Sequence, residues 1–108
     1  MIASDAISLA CVLRPNELGE EALGRLLSEL DARLATEVRG EEVSGQKTPV
    51  YRSELAIPAP FDRLYWIYLV AMIDMAAGDN EAYSVSYALF TEARDAYARW
   101  YQRTGGKR

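Results

Sequence analysis

Apolar residues along the chain fall into four helical stretches with one long irregular segment between the second and third. Ser4 is placed to cap a short first helix over residues 5–13, with Asp5 at its positive end, and Arg14-Pro15-Asn16 stops it. Asn16 is then the expected cap of the second helix, whose first turns carry Glu17, Glu20 and Glu21. Leu23, Leu26, Leu27, Leu30, Leu34 and Val38 recur at steps of three and four, which gives one apolar face. Glu29 and Arg33 are spaced to pair on the opposite face, and Gly40 ends the helix.

From Arg39 to Pro60 the helical pattern disappears, and Gly40, Gly45, Pro49, Pro58 and Pro60 punctuate the stretch. Residues 50–57 read as extended, with Tyr51, Ser53, Leu55 and Ile57 on one side. A connection this long in a compact domain is commonly functional or mobile. A third helix is expected from Pro60 or Phe61 to Ala77, and a fourth from an Asp79 or Asn80 cap to about Arg103. So short a link predicts an antiparallel hairpin. The expectation is a single all-α domain over residues 1–108. It is a small four-helix bundle with a long C-terminal helical hairpin and an extended arm or β-hairpin over 39–60.

The third helix is apolar around its whole circumference from Leu64 to Ile73, so it must be covered on every side. Either it is the central core helix, or one side faces another subunit. The fourth carries Tyr83, Tyr87, Phe90, Tyr97 and Tyr101 on one stripe, with Arg94 in the vacant place. Trp100 lies beside them in line with Leu89, Ala93 and Ala96. Aromatic stripes at this spacing belong first to cores; near the helix end Trp100 and Tyr101 also suit a partner surface.

Charge changes this picture at one point. The 108 residues carry 12 basic and 16 acidic side chains, a net -4, which argues against broad wrapping of nucleic acid. The excess is confined to residues 1–60, and everything charged after Asp95 is basic: Arg99, Arg103, Lys107 and Arg108. An acidic body with a basic tip results. That tip suits an acidic groove on another protein, or DNA phosphates.

Histidine is absent and cysteine occurs once, as Cys11, which reads as a small buried apolar residue. His-ligated metals, His-dependent catalytic centres and disulfide frameworks are thereby excluded. Glu29 with Asp31, Asp74, and Asp79 with Glu81 form no paired-carboxylate motif, and Asp74 is expected to find an arginine on the fourth helix or to be exposed. The glycines match no nucleotide loop. The sequence therefore predicts no enzyme and no cofactor. It shows neither a signal peptide nor a membrane-spanning run, so a soluble chain made in a cytoplasm is expected.

Arg14-Pro15-Asn16, residues 28–33, Glu37-Val38, residues 58–62, Tyr68, residues 71–74, Gly78 and the Tyr83, Phe90, Ala93, Tyr97, Trp100, Tyr101 series share a spacing pattern. In it the chain resembles the small helical head–tail connector (portal adaptor, or head-completion) proteins of tailed bacteriophages and prophages. The resemblance spans about residues 14–103, except the divergent 39–48 region. It implies a virion protein of the neck. Such proteins form a ring, twelvefold in the virion, beneath the portal protein, and extend the DNA channel without sequence-specific binding to DNA or contact with a membrane.

The same resemblance implies that Arg99, Trp100, Tyr101, Arg103, Lys107 and Arg108 dock into the portal. Val50, Tyr51, Leu55 and Ile57 on the arm would contact neighbouring subunits or the next neck or tail-completion protein. The alternative class is a helical partner-binding protein without a ring, such as a prophage-encoded antitoxin or small regulator. A DNA-reading helix-turn-helix lacks a basic recognition helix here.

Overall fold

The helix without a polar face lies in the middle of the molecule. The computed structural model describes residues 1–41 and 55–106. These form an all-helical chain of α1 (Ala3–Leu13), α2 (Glu20–Glu37), α3 (Arg63–Ala76) and α4 (Asn80–Thr104). α3 packs against each of the other three, and α1 packs on α2 as well. Every residue of α3 from Leu64 to Asp74 except Trp66 is buried, so of the two readings of this helix the structure supports the central core. A second subunit is not needed to cover it. Full burial of a side chain such as Leu64 or Leu69 stabilises by about 1.5–3 kcal/mol.

Side-chain pairs fix the helix directions. The Met1 nitrogen lies 3.7 Å from Asp62 at the start of α3, and Arg14 Nε lies 2.7 Å from Asp74 near its end, so α1 runs parallel to α3. Phe61 meets Trp100 at 5.0 Å between ring centroids, Tyr68 meets Phe90 at 4.9 Å, and the Ser86 hydroxyl donates to Asp74 at 2.8 Å. α4 therefore runs back along α3. Arg33 sits over the Tyr68 ring and Arg39 donates to the Tyr97 hydroxyl at 3.2 Å, so α2 also opposes α3. The apolar face expected on α2 is the buried one: Leu23, Leu27, Leu30 and Leu34 are in the core, with Leu26 and Val38 packed at its edge.

Helix ends depart from the sequence reading in specific ways. α1 starts at Ala3 rather than after Ser4, because the Ile2 carbonyl already accepts from the Asp5 and Ala6 amides. Asn16 does not cap α2. Its Oδ1 accepts from the Leu18 amide at 3.0 Å, closing a turn of its own, and Gly19 precedes the helix at φ 88°. α3 begins at Arg63, after tight turns in which the Phe61 amide donates to the Pro58 carbonyl. The expected Asp79 cap is present: its carboxylate accepts from the Ala82 amide at 3.1 Å. Arg33 pairs with Glu37 at 3.8 Å, in place of the expected Glu29 partner.

Candidate functional site

Antiparallel packing of α3 and α4 gathers cations that are far apart in the chain. Arg99 and Arg103 lie one turn apart on the exposed side of α4, and the exposed Arg63 stands at the adjacent start of α3. None of the three makes an ion pair among the described residues. At the opposite end Glu17, Glu20 and Glu81 are exposed and carry no ion pair among the described residues either. Exposed cations without ionic partners among the described residues thus gather at one end, where Glu92 also lines the surface beside Arg63, and exposed carboxylates gather at the other. Arg63 was not singled out in the sequence, since only the α3–α4 register brings it to Arg99.

Trp100 and Tyr101 are anchored rather than free. Trp100 stacks obliquely on Phe61, and both rings surround Tyr97, which is fully buried. Residues 99–104 continue α4 as helix, so the expected docking tail is, over that span, part of the folded body. Gly105 ends the helix at φ 67° with its amide on the Tyr101 carbonyl, and Gly106 turns back against the Tyr101 ring. Lys107 and Arg108 lie outside the described residues. Arg39, just beyond the end of α2, braces this end. Burial lowers its pKa, but hydrogen bonds to Tyr97 and Glu41 more than offset that and leave it raised.

Leu55 and Ile57, expected on a subunit-contacting arm, are instead buried in this chain's own core. A clamp holds them there. The Tyr65 hydroxyl donates to Asp31 Oδ1 at 2.5 Å and accepts from the Ile57 amide at 3.0 Å, while Asp31 Oδ2 accepts from the Ala56 amide at 3.3 Å. The Leu55 amide donates to the Met1 carbonyl at 2.9 Å. Val50 and Tyr51, with the extended stretch up to Glu54, lie outside the described residues.

The carboxylates weighed for catalysis have structural partners or face solvent. Asp74 is 3% exposed and binds Arg14 and Ser86, so its arginine comes from the α1–α2 connection and not from α4. Asp31 serves the clamp, Asp79 caps α4, and Glu29 and Glu81 are exposed. Among the described residues no three His, Cys, Asp or Glu side chains are grouped to hold a metal ion. Cys11 is half-buried and accepts weakly from Asn16 Nδ2 at 3.6 Å. No described helix is long and apolar enough to cross a membrane.

An open groove of about 280 Å³ runs between the start of α3 and the middle of α4, lined by Pro60, Phe61, Arg63, Leu89, Glu92 and Ala96. It joins the basic end to the side of α4 on which Leu89, Ala93 and Ala96 were expected. No protein-family model, no curated protein and no solved structure matches the chain.

Proposed function

We propose that this chain is a structural assembly protein of the head–tail connector kind, joining a phage portal to the tail as a ring that extends the DNA channel. The observation that carries the reading is the basic end of α4: Arg99 and Arg103, exposed and without ionic partners among the described residues, on a helix end packed through Trp100 on Phe61. Exposed cations without internal partners are available to an acidic protein surface, and a rigid aromatic base lowers the entropy lost on docking. In this reading the α3–α4 pair is the hairpin of a small four-helix bundle, and the portal and the next neck protein are the partners.

Mixing the chain with the portal protein of the same phage, and imaging the product, tests the reading. Deleting residues 99–108 is a poor variant, because it removes Trp100 from the core edge. Arg99→Glu with Arg103→Glu leaves the packing intact. The unaltered chain joins the portal as a ring and the double variant does not. A chain that never joins the portal overturns the proposal.

A further inference from the structure

α1 brings little apolar surface to the core. Its buried side chains are Ala3, Ala6, Ile7 and Ala10, whereas α2 buries Leu23, Leu27, Leu30 and Leu34. Burial stabilises in proportion to the apolar area removed from water, so three methyl groups and one isoleucine hold α1 less firmly than four leucines hold α2. α2 has further ties to the rest of the molecule, through Arg33 over the Tyr68 ring, Arg39 on the Tyr97 hydroxyl and Glu37 on Arg94.

The register of α1 is set by polar contacts at its two ends. Arg14 Nε meets Asp74 at 2.7 Å, and the Leu55 amide donates to the Met1 carbonyl at 2.9 Å. Both fix geometry more than they add strength: desolvation of Asp74 offsets much of the first, and the second replaces hydrogen bonds to water. Leu55 is itself held by its neighbours, because Asp31 accepts from the Ala56 amide and the Tyr65 hydroxyl accepts from the Ile57 amide. The Tyr65–Asp31 hydrogen bond therefore reaches α1 through residues 55–57. On the other side, residues 14–19 are exposed except for the half-buried Asn16, and they end in Gly19 at φ 88°.

Beneath α1, Asp62, Trp66, Val70 and Asp74 recur at steps of four along α3, and the first and last of them are the ones that meet Met1 and Arg14. Trp66 and Val70 therefore lie on the stripe that α1 covers. We propose that α1 and residues 55–57 form one conformational unit, latched by the Tyr65–Asp31 hydrogen bond. It swings off α3 about residues 14–19 while the rest of the molecule stays folded, and it uncovers Trp66 and Val70. Opening hydrates Asp74 and Arg14, loses few apolar contacts and leaves the α3–α4 pair intact, which makes it less costly than unfolding of the whole chain. The unit belongs to the free chain and stands whether or not a portal is the partner.

Native-state hydrogen exchange on the unaltered chain tests it. The Ile7, Ala10 and Leu55 amides are expected to exchange at least about tenfold faster than those of Phe90 and Tyr97, with one shared opening constant and one small urea slope. Tyr65→Phe removes the latch and raises that constant at least about fivefold at all three amides. Asp31→Ala, which removes the acceptor instead, does the same. Exchange of the three at the rate of Phe90 and Tyr97 means that α1 comes off only when the whole chain unfolds, and it overturns the proposal. A gradient of rates along α1, which is fraying from one end, also overturns it. So does a Tyr65→Phe variant in which Ile7 and Ala10 exchange at the unaltered rate.

Discussion

Arg14 and Asp74 stand sixty positions apart in the chain and meet at 2.7 Å, one residue half-exposed and the other almost sealed from water. That asymmetry decides what each substitution costs. Arg14→Ala leaves a buried carboxylate with the Ser86 hydroxyl as its remaining partner, which makes it the costlier of the two changes. Asp74→Ala leaves an arginine that turns into solvent and a serine that still donates to the Ala82 carbonyl, so its cost is nearer 1–2 kcal/mol. Urea denaturation of the two variants is expected to rank Arg14→Ala as the more damaging.

Tyr65 links α2, α3 and the segment entering α3 through one hydroxyl. Tyr65→Phe keeps the ring and strands the Ile57 amide and one Asp31 oxygen, which costs about 1–3 kcal/mol at neutral pH. Because the clamp holds Ile57 in the core, amide hydrogen exchange at Ile57 is expected to quicken more than exchange in the middle of α4. Equal acceleration at both sites means that the hydroxyl contributes only to global stability.

The same hydroxyl sets an alkaline limit. Burial, and after it the negative charge of Asp31, raises the Tyr65 pKa above its ordinary value. The folded chain keeps this proton where the unfolded chain releases it. The stabilisation is therefore complete below about pH 10 and falls as pH rises beyond it. Burial also raises Tyr68, partly countered by Arg33, and it acts in the same direction. Unfolding free energy measured above pH 10 is expected to drop by up to about 1.4 kcal/mol per pH unit for each such group. Tyr65→Phe removes one group's share, so its alkaline slope is shallower than that of the unaltered chain.

The central helix and the α4 cap were legible because they are local properties. An apolar run without a polar face dictates cover on all sides, and Asp79 ahead of the fourth helix satisfies amides within its own turn. Ser4 and Asn16 misled because short polar side chains serve turns as readily as helix starts; Asn16 spends its oxygen on Leu18 before α2 begins. Arg14, Asp31 and Arg63 take their roles from residues more than twenty positions away, through packing directions that no local pattern encodes. The arm reading failed at Leu55 and Ile57 for a related reason: alternation identified an apolar side, and the clamp turned it into the chain's own core.

Gly19 enters α2 at φ 88° and ψ 157°, a region open to glycine and closed to residues with a Cβ. Nothing lies within 4 Å of where that Cβ would stand, so substitution carries backbone strain without a clash. Gly19→Ala is expected to destabilise by about 1–3 kcal/mol, measured by thermal or urea unfolding. Its loss is separable from a packing defect, because Gly19→Ser and Gly19→Ala should cost alike.

The basic end permits a separation of folding from docking. Arg99 and Arg103 are exposed and without ionic partners among the described residues, so charge reversal at both costs only their interaction with the C-terminal end of α4, on the order of 1 kcal/mol. Trp100 packs on Phe61, Tyr97 and Tyr101 at the core edge, and Trp100→Ala is expected to cost about 2–4 kcal/mol. Unfolding curves check both statements on the free protein. A partner that reads the charge loses affinity for the double arginine variant at unchanged stability, and the loss deepens as salt is lowered, because unscreened repulsion then replaces attraction. Trp100→Ala weakens the same binding only as far as it loosens the end of α4, and Trp100→Phe, which retains a ring on Phe61, restores most of it. Equal binding by the double arginine variant and the unaltered chain at every salt concentration means that Arg99 and Arg103 are not the docking charges.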